Sequence, residues 1–144
     1  MRWNITLILC SLPALHSAWA TDITLSIATH KLRASIANTP TTRKQGLKSN
    51  TQLCRDCGML FIFPRTGKHS FWMKDTPLPL SIAFIAADGS ILNIAEMQPN
   101  TTLSHTAQGE ALYALEMNRG WFTEHAIKAN DHVDGLRKTP LAEK

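Results

Sequence analysis

Ile23, Leu25 and Ile27 alternate with polar residues, and Leu32, Ala34 and Ile36 repeat the alternation after a polar break at residues 29–31. A period of two on both sides of a break predicts a β-hairpin with one wet face. Thr39-Pro40 then offers a capping hydroxyl followed by a ring pre-set for the first helical position, which predicts a short helix over residues 40–48. Gly46 keeps that helix short or kinked. Strand patterns rich in aromatic and branched side chains return at residues 59–63, 69–73 and 80–86. Asp88-Gly89, between Ile82-Ala83-Phe84-Ile85 and Ile91-Leu92-Asn93-Ile94, is the strongest hairpin signal in the chain. Residues 111–117 read as another strand. Residues 121–127 suit a short amphipathic helix, with Trp121 and His125 on one face and Phe122 and Ala126 on the next. Asn130-Asp131 marks a turn, and Val133 begins a last strand. These elements predict a mainly β domain, a small sandwich or barrel with one or two short helices; an α+β arrangement is the alternative.

The first twenty residues follow a different rule. Met1-Arg2-Trp3 gives a positive start, residues 5–15 form an apolar run too short to span a bilayer, and Ser17-Ala18-Trp19-Ala20 places small side chains where a signal peptidase reads. Cleavage after Ala20 is expected, which makes the protein exported: periplasmic in a two-membrane bacterium, otherwise secreted. An uncleaved N-terminal helix is the alternative. Leu9 stands before Cys10 where a lipoprotein signal needs a small residue, so Cys10 is expected to leave with the signal. The remaining 124 residues, 21–144, fit a single domain without linker, repeat or further membrane span. They hold 14 of the 15 Lys and Arg and all 11 Asp and Glu, and no basic run exceeds the pairs Arg43-Lys44 and Arg137-Lys138. Charge so dispersed argues against nucleic acid, whose binders concentrate it, and leaves only mild attraction to an anionic envelope component.

The run Gly58-Met59-Leu60-Phe61-Ile62-Phe63-Pro64, followed by Phe71-Trp72-Met73-Lys74-Asp75-Thr76-Pro77-Leu78-Pro79-Leu80, resembles the domain-of-unknown-function family 192 (DUF192), also called uncharacterised protein family 0127. Thr39-Pro40 with Gly46-Leu47 is similar to that family's opening. Tyr113-Ala114-Leu115-Glu116-Met117, Gly120-Trp121, His125-Ala126-Ile127-Lys128 and Asp131-His132-Val133 are similar to its close. The likeness covers residues 39–133 and implies a small, mostly β, often exported domain, with no established activity to carry over. Ser81 stands where the family usually has Asp, and Ala126 and Asn130 stand where it tends to have glycine.

In a strand over residues 69–74, Phe71 and Met73 face one way and Trp72 and Lys74 the other. Thr76-Pro77-Leu78-Pro79 cannot be an interior strand, because each proline lacks a ladder donor. The expected result is an irregular wall over residues 72–79 that carries Asp75 and Thr76 beside an indole and an ammonium group. That set, with Ser81, suits a small polar or carbohydrate-like ligand, the ring acting as a stacking platform. The alternative is that Trp72 caps the rim of the core and the prolines merely end a strand. Cys54-Arg55-Asp56-Cys57 is expected to close a disulfide in an oxidising compartment. A redox-active pair usually sits at a helix N-terminus, whereas Cys57 leads into a strand pattern, which favours a structural bridge. His69, His105, His125 and His132 lack metal-ligand spacing, so no metal or cofactor is expected. Ser70, Thr76, Ser81 and Ser104 lie in no nucleophile-elbow pattern, and no catalytic set is assigned. Taken together, the residues point to an exported module that binds a small polar ligand or an envelope partner across residues 72–79; the alternative is a hydrolytic or thiol-redox enzyme of the envelope.

Overall fold

The computed structural model describes residues 21–144. The expected signal segment, residues 1–20 with Cys10, lies outside the described residues. Strand β1 (Asp22–Ile27) and strand β2 (His30–Ala37) form the expected antiparallel hairpin. Ile23, Leu25 and Ile27 are buried while Asp22 and Thr24 face water. Helix α1 (Pro40–Gln45) starts as anticipated, with the Thr42 amide donating to Thr39 Oγ1 and the Thr39 amide donating to Thr42 Oγ1. It ends earlier than residue 48, because Gly46 turns out of the helix at φ 49° and ψ −138°.

The crossover through α1 sets strand β3 (Cys57–Gly67) parallel to β2. This strand is longer than the 59–63 segment expected and runs through Pro64. The proline is tolerated because the β3 pairing breaks register between Ile62 and Gly67. Strands β4 (Ser70–Phe71), β5 (Leu80–Ala86), β6 (Ile91–Met97), β7 (His105–Thr106) and β8 (Ala111–Asn118) follow, then helix α2 (Trp121–Glu124) and strand β9 (Val133–Asp134). Seven strands make one curled sheet, a half-barrel, in the order β6-β5-β8-β3-β2-β1-β9. The domain is mainly β with two short α-helices, and its sheet is a curled half-barrel in place of a closed barrel or a two-sheet sandwich.

The strand expected at residues 69–73 shrinks to β4 and leaves the main sheet to pair with β7. Its continuation is diverted because the Met73 amide donates to the Thr101 carbonyl. Chain 130–134 laces the sheet's two ends: the Asn130 amide donates to Ile91 and the Val133 amide to Gly89, while Ile27 pairs with Val133.

Each face of the sheet carries its own core. On one, Leu25, Leu60, Ile85, Leu115 and Met117 pack under Trp121 and Phe122 of α2. On the other, Phe61, Leu80, Ile82, Phe84 and Ala114 pack under Leu47, Met73, Leu78 and Ala107. Residues 80–85 of β5 are consequently buried without a break. β3 and β8 approach so closely at Gly58 that a Cβ there would collide with the Glu116 carbonyl oxygen and the Met117 sulfur.

Helix α2 stops at Glu124, short of residue 127. The Ile127 amide donates to the Phe122 carbonyl and the Ala126 amide to the Thr123 carbonyl, a Schellman closure with Ala126 in the left-handed region at φ 55°. Asn130 also lies there, at φ 74°. The two positions where the family resemblance anticipates glycine thus hold the backbone that glycine adopts most easily. Replacing Ala126 by Gly is expected to stabilise the fold by about 1 kcal/mol, since the left-handed conformation costs an L-residue roughly that much. Thermal unfolding followed by circular dichroism checks this: the midpoint should rise by about 3–5 °C, and a fall would mean the turn carries no such strain.

Candidate functional site

Residues 71–74 alternate as the strand reading anticipated. Phe71 is half-buried and Met73 buried, whereas Trp72 is 53% exposed and Lys74 is exposed. The Lys74 ammonium lies 5.7 Å from the centre of the Trp72 ring, a cation–π contact at the surface. Asp75 takes φ 57° and points its short side chain to solvent, which turns the chain back so that the Thr76 amide bonds the Met73 carbonyl. Thr76 is buried and its hydroxyl donates to the Lys74 carbonyl.

Between this wall and the end of α1 lies a cavity of about 310 Å³, to which Trp72 and Thr76 both contribute. Phe61, Phe63 and Phe71 line it, and the Phe61 and Phe71 rings meet edge to face at 4.9 Å. Lys44, Arg43 and Lys48 line the α1 side. Glu116 of β8 lines its floor, 5% exposed. Glu116 faces this side because it sits opposite Met59 of β3 and Ile82 of β5, and side chains directly paired across an antiparallel ladder share a face.

No ion pair or hydrogen bond to the Glu116 carboxyl occurs among the described residues, and burial alone pushes its pKa from 4.5 up to about 8. The cations around the cavity do not counter this. Arg43 is engaged with backbone: Nη1 donates to the Asn38 and Ile62 carbonyls and Nη2 to the Glu143 carbonyl. Lys48 Nζ donates to the Lys44 carbonyl. His69 stacks on Phe63 with ring centres 3.6 Å apart, and its Nε2 lies 3.1 Å from the Arg65 carbonyl.

Ser81 does not join the other candidates. Its neighbour Ile82 is paired with Glu116, so Ser81 points to the opposite face. There its hydroxyl lies 2.8 Å from both Glu96 carboxylate oxygens and accepts the Gly120 amide at the start of α2. Arg119 Nε lies 3.6 Å from Glu96, so the serine relays a carboxylate to the helix start. An aspartate at this place could accept that amide directly, which gives the family's usual residue a structural reading.

Cys54 and Cys57 form a disulfide in a turn closed by the Cys57 amide on the Cys54 carbonyl. Asn118 Nδ2 donates to the Cys54 and Arg55 carbonyls, and the Trp121 indole donates to Asp56. The loop is thereby tied to the end of β8 and to Trp121, the first residue of α2, while Cys57 itself leads into β3. His105 sits opposite Phe71 in the β4–β7 ribbon, His125 packs on Trp121, and His132 lies 3.7 Å from Asp134. Among the described residues no histidine nitrogen bonds a serine or threonine hydroxyl. No group of three or more His, Cys, Asp or Glu among them could hold a metal ion.

The same arrangement of strands recurs in known proteins. A sequence profile of DUF192, described as "Uncharacterized ACR", matches residues 22–135. The chain belongs to the DUF192 family. The match begins upstream of residue 39, so the β1–β2 hairpin is part of the family domain. A crystal structure from Sinorhizobium meliloti 1021, described as a "putative transcription regulator", is similar at 31% identity and TM-score 0.77, covering 81% of this chain and 95% of that one. A protein of unknown function from Novosphingobium aromaticivorans DSM 12444 is similar at 26% identity and TM-score 0.72, covering 88% of this chain and 94% of that one. No curated protein matches the chain.

In this DUF192 member, Glu116 was not among the residues that the sequence pattern marked as a candidate site. The available signal was an acid on the same strand face as Ala114, within the otherwise apolar β8 run. Its titration is open to test. A carboxyl whose folded pKa is about 8 against an ordinary 4.5 favours the folded state most below pH 4.5 and loses that contribution as pH rises to 8. The loss is on the order of 5 kcal/mol. Urea unfolding of wild type and Glu116→Gln at about pH 5 and about pH 8 should show the wild type losing several kcal/mol relative to the variant. Parallel pH dependences would mean that Glu116 is already ionised in the fold.

Proposed function

We propose that this DUF192 domain is an exported binding module for a small polar, carbohydrate-like ligand, free or part of an envelope component, held in the cavity beside Trp72. The observation that carries the reading is the cavity itself: aromatic walls, an exposed indole at the mouth, and a buried acid on the floor that has no partner among the described residues. A volume of about 310 Å³ suits a ligand of roughly monosaccharide size. Stacking on Trp72 would supply apolar contact, and Lys74, already over that ring, would hold the indole in place. Of the residues first marked, Trp72 and Thr76 line the cavity; Lys74, Asp75 and Ser81 do not, and Lys74 reaches it only through the Trp72 ring.

The exported address rests on the charge, apolar run and small-residue end of residues 1–20. Mass analysis of the protein recovered from its native host should give a chain beginning at Thr21. A nucleic-acid role is left out because the basic residues are dispersed.

Titration of the purified protein with a panel of monosaccharides, followed by indole fluorescence, tests the binding reading. Trp72→Ala should keep the native circular dichroism spectrum and weaken binding roughly tenfold or more. Unchanged affinity in that variant, or unfolding caused by it, would remove Trp72 from the site. The thiol-redox alternative makes a different forecast, a bridge that cycles with a mild dithiol. The tied-down loop favours an inert bridge, and the paired Cys54→Ser and Cys57→Ser variant should lose only about 2 kcal/mol or less in urea unfolding.

A further inference from the structure

The charges around the cavity are layered. Inside lies Glu116, flanked by Met59 and Ile82, in a space lined by phenylalanine rings and by His69, which stacks on Phe63. The two hydroxyls of the lining are engaged elsewhere: that of Thr76 donates to the Lys74 carbonyl, and Ser70 Oγ lies 2.7 Å from Thr106 Oγ1. Outside, the α1 side carries Lys44 and Lys48, and no second acid lines the cavity. Arg43 is committed to three carbonyls, which leaves the two lysines as the cations able to turn toward a ligand.

Each simple ligand class meets one layer badly. An anion would enter past the lysines and end against aromatic faces and an acid. A cation would satisfy the acid and the rings, whose faces attract positive charge, but would pass a repelling rim. A neutral sugar could hydrogen-bond the protonated acid but would leave the lysines at the rim without a charged partner. We infer that the cavity selects a zwitterion, with an amine seated against Glu116 among the phenylalanine rings and an acidic group held outside by Lys44 and Lys48. This rests on the ligand-binding reading above and names the chemical class of its ligand: an amino sugar bearing an acid, or a free amino acid.

The empty site holds its Glu116 proton at neutral pH, because burial disfavours the charge. An incoming ammonium supplies the missing countercharge, so the carboxyl ionises and its proton passes to solvent. The groups facing Glu116 that bear on this step are Arg43, Lys44 and Lys48 from the α1 side and His69 from beside β4; β3 and β5 offer only Met59 and Ile82.

Isothermal titration of the purified protein decides the matter with four probes. Muramic acid carries both amine and carboxylate, N-acetylmuramic acid has the amine capped, glucosamine lacks the acid, and leucine represents free amino acids. Muramic acid should bind at least roughly tenfold tighter than either cut-down sugar. Its apparent heat should vary with the buffer's ionisation enthalpy, as one released proton requires. Glu116→Gln should abolish the preference for the free amine and the proton release, while Lys44→Gln with Lys48→Gln should abolish the preference over glucosamine. Leucine binding with the same dependence on Glu116 would support the zwitterion and assign the site to amino acids. N-acetylmuramic acid binding as tightly as muramic acid, or a Glu116→Gln protein that keeps the amine preference, overturns the inference and leaves ligand binding standing. Silence from all four probes at millimolar concentration overturns both.

Discussion

Strand β8 lies between β5 and β3 and is covered on both faces, so every side chain it carries has to be reconciled with a dry environment. Leu115 and Met117 meet that demand on one face and Ala114 on the other. Glu116 does not. An ionised carboxylate without a partner cannot be kept in such surroundings, so the group holds its proton, and it does so at the wall of the cavity.

What covers that face explains why the opening is where it is. The crossover between β2 and β3 delivers α1, and its abrupt end at Gly46 drops Leu47 into the core, with Phe61 Cζ about 3.5 Å from where a Gly46 Cβ would lie. From the other direction the chain after β4 leaves its ladder and packs Met73, Leu78 and Leu80 inward in place of a regular strand. Two irregular covers meeting over a sheet do not close as tightly as two regular layers, and the seam between them is the cavity. Aromatic edge-to-face contacts, Phe61 with Phe71 and Phe71 with Phe84, hold the seam's walls at fixed spacing.

Local pattern carried much of this. The β1–β2 hairpin, the Thr39 cap, the outward Trp72 and Lys74 and the wall ending in prolines could all be read from alternation and from residue chemistry. The anomaly at Ala126 and Asn130 came from the family resemblance instead, and the structure gives it a geometry. The misses share a physical cause: they depend on what lies across the sheet. β7 is two residues long and exists only because Phe71 offers it a partner. Ser81 looked like a neighbour of Thr76, yet the strand pleat and the Gly120 amide place it on the other face. Glu116 carries only a weak local mark, its place in the largely apolar β8 run, since an acid in a strand is ordinary until both neighbouring strands are known to be buried.

A glutamine or methionine at position 116 would serve the sheet better near neutral pH, because neither has a charge to suppress. The acid therefore makes no sense as packing, and nothing among the described residues compensates it. An external partner does: a ligand that binds the folded form and supplies a countercharge recovers, on binding, free energy that the empty fold forgoes. The same reasoning separates Glu116 from Glu96, whose carboxylate has Ser81 and Arg119 close by and is complete without a ligand. One acid finishes its work inside the structure. The other is left unfinished beside an aromatic cavity, which is the condition under which a buried carboxyl becomes a recognition group.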